Sequence, residues 1–228
     1  MCGRYASYMA PDEVQLQFDL ERIDEQTERF VSYNVAPSTD IPVIVQRPDT
    51  GRREMLMARW GLVPRWAKDL SGPLMFNARL ESVAEKRAFA PSLATRRCIV
   101  PMSGYFEWQA GGGPNGSKQP YFIFDASQPV TAMAGLYSWW HQEDGTWLLS
   151  ATIITRAATA EMAAIHSREP ALLRPEEYAA WLDPAQKDPL AALALLQREP
   201  PTYTYFPVGN QVGNVANNSA ANVEKIIR

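Results

Sequence analysis

The sequence predicts an α+β fold: a mostly antiparallel, curved or barrel-like sheet with helices at its periphery, in a single domain spanning residues 1–228. Three observations predict it. Strand-like runs crowd the middle of the chain, helical periodicity is confined to early and late segments, and no linker or internal repeat divides the sequence.

Residues 3–8 are short and mixed and read as a strand. Pro11-Asp12-Glu13 then opens a helix, with Val14 and Phe18 one turn apart on its apolar face. Tyr33 to Pro37 is extended, because the residue before a proline avoids the helical region. Ile41–Gln46 and Arg53–Trp60 flank Asp49-Thr50-Gly51 and form a hairpin. Leu74–Leu80 is extended, and a short helix is expected around Glu81–Ala88. Cys98–Gln109 reads as one strand, and Gly111–Ser117 as a flexible turn. Tyr121–Phe124, Thr131–Trp139 and Thr146–Thr155 are further strands, the last two joined at Glu143-Asp144-Gly145. Helices are expected at Ala157–Ile165, Pro175–Leu182 and Pro189–Gln197. Tyr203–Val208 returns to strand before an asparagine-rich stretch from Asn210 to Asn222.

Composition excludes several classes. A hydrophobic fraction of 46% supports a sizeable core, and a net charge of -3 argues against a generally basic nucleic-acid coat. A local cationic groove remains compatible with that charge, because the field in a cleft depends on nearby groups. Two cysteines, Cys2 and Cys98, are too few for a disulfide framework or a four-ligand zinc site. No signal peptide or membrane-spanning run is visible, so a reducing, cytoplasmic location is expected. Seven tryptophans are numerous enough for some to act as binding platforms, although packing is their usual role.

The chain begins Met1-Cys2-Gly3-Arg4. Methionine is ordinarily trimmed before a small residue, and its loss would leave Cys2 with a free α-amine beside a thiol. Such a 1,2-aminothiol attacks one carbonyl carbon twice and closes a five-membered thiazolidine. Reference pKa values of about 8 for the amine and about 8.5 for the thiol leave part of each deprotonated near neutrality. Taken alone, a cysteine in second place carries no message.

Other candidates are equally open when read singly. His141, at a hairpin end, is expected to be exposed and inert. His166 follows Ala163-Ala164-Ile165 and suits either catalysis or the C-terminus of a helix, where its cation complements the dipole. Glu107 lies between Phe106 and Trp108 in a strand-like run; it is either a solvent-facing residue or a carboxyl whose pKa is tuned by burial. Asn77 and Arg79 share a face of an extended segment and fit either ordinary exposed residues or a nucleophile-orienting amide and an anion-binding guanidinium.

Six segments taken together are more specific: Met1 to Tyr5, Tyr33-Asn34-Val35-Ala36-Pro37, Trp60-Gly61-Leu62-Val63-Pro64 with Trp66, Phe76 to Glu81, Arg97 to Pro101 running into Gly104-Tyr105-Phe106-Glu107-Trp108, and Ile165-His166-Ser167-Arg168. In order and spacing they closely resemble the SOS response-associated peptidase (SRAP) family across nearly the whole chain. The resemblance implies action on abasic sites in single-stranded DNA, with Cys2 capturing the sugar aldehyde as a thiazolidine. It implies Asn77, Glu107 and His166 as assisting residues: Asn77 orients Cys2, Glu107 moves protons on the amine and carbinolamine, and His166 serves ring opening. It implies that Arg4, Arg79 and Arg168 clamp phosphates, that Pro37, Trp66 and Trp108 support bases, and that Asn34 and Thr155 also contact DNA. No cofactor, metal or membrane is called for, and protein partners are not indicated. Two departures stand out. Glu169 occupies a position often apolar or basic, where a carboxylate beside the DNA path is expected to weaken binding, and Ala216 stands where lysine is frequent.

Two further readings are compatible with the sequence. One is a cysteine peptidase, including self-processing of its N-terminus, with Cys2 as nucleophile and His166 as base. The other is a non-catalytic single-strand binding module, in which Cys2 is dispensable.

Overall fold

The structure, a computed structural model, describes residues 2–23 and 25–227. The chain opens with β1 (Tyr5–Ser7), α1 (Pro11–Phe18), β2 (Arg22–Ile23), α2 (Glu25–Glu28) and β3 (Ser32–Val35). The hairpin β4 (Asp40–Gln46) and β5 (Arg53–Trp60) follows, then β6 (Asn77–Arg79), α3 (Ala90–Thr95), β7 (Arg97–Met102) and β8 (Gly104–Gln109). Three longer strands come next, β9 (Gln119–Asp125), β10 (Thr131–His141) and β11 (Trp147–Ala157). The last elements are β12 (Arg168–Pro170), β13 (Leu172–Leu173), α4 (Tyr178–Leu182), α5 (Pro189–Leu196) and β14 (Tyr203–Pro207).

Strands β5, β4, β7, β10 and β11 are antiparallel neighbours, and β11 returns to β5 in parallel at Ser150 and Ala151. The return closes a five-stranded barrel. Strict alternation then sorts the side chains. Val43, Val45, Val100, Met133, Ala151 and Ile153 fill the interior with Cys98. Ile44, Ile99, Ala134, Leu136 and Ile154 point outward and pack against Val14 and Phe18 of α1, Leu93 of α3, Trp181 of α4 and Leu193 of α5.

A second sheet runs β14-β9-β8-β1-β3. One face, with Tyr5, Tyr105, Ile123 and Tyr203, packs onto the barrel core. The other carries Ala6, Phe106 and Phe122 beneath Val208 and Val212 of the C-terminal tail. The chain's first strand is thus interior to a sheet, with Tyr5 opposite Val35 on one side and Tyr105 on the other. Gly104 permits the close approach of β8 and β9, since a Cβ there would stand 2.4 Å from the Phe122 ring.

The curved antiparallel sheet and peripheral helices match the predicted fold class, and three local expectations are corrected. Glu81–Ala88 is a series of turns, held by bonds such as Glu85 N to Ser82 O and Phe89 N to Lys86 O, and the helix begins only at Ala90. Cys98–Gln109 is two strands in different sheets, broken where Ser103 N donates to Ala6 O and Tyr8 N donates to Ser103 Oγ. Ala157–Ile165 contains a single 3₁₀ turn, Met162–Ala164, rather than a helix. Its alanine-rich propensity is overridden because Ala158 N binds Ser167 O, and Thr159 N and Oγ1 both donate to Glu169 Oε2.

Among the described residues, no helix is long and apolar enough to cross a membrane.

Candidate active site

Cys2 lies just ahead of β1, fully buried in the interface between the second sheet and the barrel. The amide of Asn77 reaches it, Nδ2 donating to Cys2 O at 2.8 Å. Asn77 is positioned by β6, whose parallel pairing sets it opposite Ile153 of β11. The preceding residue is fixed too: Phe76 O accepts from Trp60 Nε1 at 2.9 Å and from Ile153 N at 3.1 Å.

Glu107 comes from β8. Alternation gives it the face of Tyr105, toward the barrel, and gives Phe106 and Trp108 the tail side. It is 4% exposed. Burial pushes its carboxyl from the ordinary 4.5 up to about 7. Burial also drives the Cys2 thiol upward, and the nearby Glu107 charge adds to the effect. The same desolvation raises Tyr5, Tyr105 and Tyr203 well above the usual phenol range. Cys2 therefore belongs to a buried group of one carboxyl and three phenols, in which Glu107 holds its proton to higher pH than an ordinary carboxyl.

His166 follows the 3₁₀ turn and is half-buried. Its Nδ1 accepts from Arg168 N at 3.0 Å. Arg168 O also stands 3.3 Å from Nδ1, and the shorter contact from the Arg168 amide favours the neutral tautomer with its proton on Nε2. Burial lowers the His166 pKa, which keeps the ring neutral to lower pH than an ordinary histidine. The loop carrying it is tied to β8 by Gln109, whose Nε2 donates to Ala164 O at 2.9 Å.

The residues implied as DNA contacts fall into distinct settings. Arg79 is exposed, Pro37 is half-buried, and Trp66 is 53% exposed with the Arg87 guanidinium 4.9 Å from its ring centre. Trp66 lines a cavity of about 210 Å³ together with Arg59, Leu62 and Leu74. Arg4 lies 5.9 Å from the Trp108 ring and donates to Asn34 Oδ1 at 2.8 Å, Val212 O at 2.6 Å and Gly213 O at 3.1 Å. Asn34 is buried, and its Nδ2 serves the carbonyls of Val212, Asn214 and Asn217. Its polar atoms hold the tail and leave nothing to offer a strand. Thr155 is fully buried on β11, and its carbonyl accepts from Arg168.

Arg168 is itself engaged: Nη1 and Nη2 grip Glu81 at 2.6 and 3.0 Å, holding that carboxyl below its usual range. A phosphate approaching Arg168 must compete with Glu81. Glu169 is not presented at the surface, where the sequence reading expected its carboxylate to weaken DNA binding. It is fully buried, 3.3 Å from Arg156, and anchors the loop ahead of His166 through Thr159. Ala216 is exposed. His141 is exposed, with its ring edge-on to Trp147.

Glu81, Gln109 and the three buried tyrosines were not singled out by sequence reasoning. Gln109 had a readable signal, since it shares the parity of Glu107 along β8. Glu81 had none, because it meets Arg168 across 87 residues. Among the described residues, no group of three or more His, Cys, Asp or Glu is arranged to hold a metal ion.

The sequence profile described as SOS response associated peptidase (SRAP) matches residues 1–215. The chain belongs to the SRAP family. Its relatives include the abasic site processing protein YoaM of Bacillus subtilis (strain 168), 38% identical and covering 96% of both chains. YoqW of the same organism, also named an abasic site processing protein, is 36% identical over 98% of this chain and 99% of the relative. The mouse abasic site processing protein HMCES is 34% identical over 96% of this chain and 74% of its own length. A crystal structure of a Bacteroides thetaiotaomicron protein shares the SRAP architecture seen here, with a TM-score of 0.82 at 25% identity, covering 99% of this chain and 100% of that one.

Proposed function

We propose that this SRAP protein processes abasic sites in single-stranded DNA by linking to them covalently through Cys2 once Met1 has been removed, shielding the lesion during the DNA-damage response. The observation that carries the reading is the meeting of Cys2, Asn77 and Glu107 in one cluster, with the buried carboxyl pushed up to about 7.

The chemistry balances as follows. The Cys2 amine adds to the sugar aldehyde carbon, and the carbinolamine expels water to give an iminium. Sγ then adds to the same carbon, its proton leaving to a base, and a thiazolidine closes with a net loss of one water. A carboxyl near 7 exists in both forms at neutral pH. Glu107 can take a proton from the amine, return it to the departing hydroxyl, and accept the thiol proton. Asn77 fixes the Cys2 carbonyl so that nitrogen and sulfur face one carbon. His166, with its proton on Nε2, donates to the sugar ring oxygen as the hemiacetal opens. Arg79, Arg4, Trp66 and Pro37 are the candidates for holding the strand, and salt should weaken that step by screening phosphate contacts.

A cysteine peptidase using Cys2 and His166 needs a thiolate, and thiolate-forming sites depress the thiol pKa. Here burial and Glu107 push it upward. Capture by an amine with ring closure by a neutral thiol fits that environment better.

An abasic oligonucleotide should give a denaturation-resistant adduct. Its intact mass should equal protein without Met1 plus oligonucleotide less one water. An equally stable adduct with Cys2→Ala rules the mechanism out.

A further inference from the structure

One end of the barrel carries a cluster that the proposed chemistry does not use. Arg65, Arg96, Trp139 and Trp147 line an open recess of about 350 Å³. Trp139 is 39% exposed and Trp147 55%, an unusual amount of indole left in water. Tyr137 N donates to Arg96 O, which sets Arg96 beside the end of β10. Two guanidiniums share the recess. Arg96 is half-buried, its Nε has no hydrogen-bond partner, and among the described residues neither Arg65 nor Arg96 has an ion pair. Burial and the Arg65 charge both lower the Arg96 pKa, with Tyr137 opposing them.

The recess and the Cys2 site lie at different points along one strand. Trp147 starts β11, and Asn77 pairs six residues further on at Ile153. At ~3.3 Å per residue the separation is about 20 Å. Consecutive residues of the loop after β5 face different pockets. Trp66 lines the cavity beside Arg59, and Arg65 lines the recess. That loop is pinned at both ends, Val63 N donating to Ser150 Oγ at 2.9 Å and Trp140 Nε1 donating to Ala67 O at 2.8 Å.

We propose that Arg65, Arg96, Trp139 and Trp147 form a second contact for single-stranded nucleic acid, stacking bases on the indoles and seating a phosphate between the guanidiniums, on the strand that runs off the Cys2 site. Exposed aromatic faces beside unpaired arginines are the chemistry that binds single strands without reading sequence. A purely apolar protein partner would leave both cations buried and unpaired. The identity of the ligand rests on the function proposed above.

The test uses the full chain and labelled oligothymidylates of 6 and 20 nucleotides, unmodified or with one abasic site. By anisotropy, the wild type should bind the unmodified 20-mer more than about ten-fold tighter than the 6-mer. Trp147→Ala and Arg65→Glu, both at exposed positions, should each lose most of that increment, and Arg65→Glu should flatten the salt dependence. Adduct yield on the abasic 6-mer should be unchanged in both. If both variants bind the 20-mer as the wild type does, the second contact is overturned, whatever the adduct yield. If no adduct forms on either length while the tryptophan-dependent increment persists, the capture chemistry fails and the second contact stands.

Discussion

Replacing Glu107 with glutamine should make the protein both more stable and less active, by an amount that depends on pH. Burial raises the carboxyl from 4.5 to about 7. A raised carboxyl pKa means the folded state prefers the protonated form. Its contribution is fully present below about 4.5, and it is lost as pH rises through about 7. At pH 8 the wild type therefore holds a desolvated charge. A displacement of about 2.5 on the pH scale, at ~1.4 kcal/mol for each step, sets an upper limit of about 3.5 kcal/mol. Glutamine has nearly the same shape and never ionises. The advantage of Glu107→Gln over the wild type should grow from near zero at pH 4.5 toward this limit at pH 8. Urea unfolding of both proteins at pH 5, 6.5 and 8 measures it, provided the slopes agree. In thermal melts, each kcal/mol corresponds to about 2–4 °C for a chain of this size. Adduct formation should fall about 10²–10⁴-fold, the usual contribution of a positioned acid–base group. A stability difference that is flat between pH 5 and 8, or that favours the wild type increasingly as pH rises, would refute the assignment of burial as the dominant influence on this carboxyl.

Asn77→Ala removes the Nδ2 hydrogen bond to the Cys2 carbonyl and should slow adduct formation about ten-fold, with unfolding midpoints little changed; single-turnover gel assays check it. Glu81→Gln releases Arg168 from a half-exposed ion pair, so stability should fall by less than about 1 kcal/mol while oligonucleotide affinity at low salt rises several-fold by anisotropy. Asn34→Ala strips three donor contacts from the tail carbonyls and should cost about 2–3 kcal/mol, with limited proteolysis cutting first beyond Val212. In adduct rate against pH, the limb set by Glu107 should fall near 7 and vanish in Glu107→Gln.

The fold was legible where residues alternate strictly against one buried face. The β4–β5 hairpin is the clearest instance: Val43 and Val45 point inward, Ile44 outward, and Asp49-Thr50-Gly51 turns the chain with Gly51 at φ 72°. Legibility failed where distant partners override local preference. Residues 157–165 have a helical composition, but Glu169 and Ser167 claim their amides. Glu169 was misplaced for the same reason, because a three-residue strand such as β12 leaves no periodic trace. Glu107 could not be resolved by alternation since both faces of β8 are covered, one by the barrel and one by the tail. The site is still less local. Cys2, Asn77 and Glu107 come from three strands' worth of separate sequence, and only the family resemblance gathers them before the fold does.

The burial of Cys2 sets a deadline. An aminopeptidase must admit the Met1–Cys2 bond together with the residue after it, and Cys2 is fully buried in the folded chain that still begins with Met1. The strand behind it cannot be enclosed until β8 exists, some hundred residues downstream. At about 5–20 residues per second, the ribosome leaves the leader exposed for roughly 5–20 s. On the mechanism proposed above, Met1 is therefore best removed while the chain is still being made, before β1 is enclosed between β3 and β8.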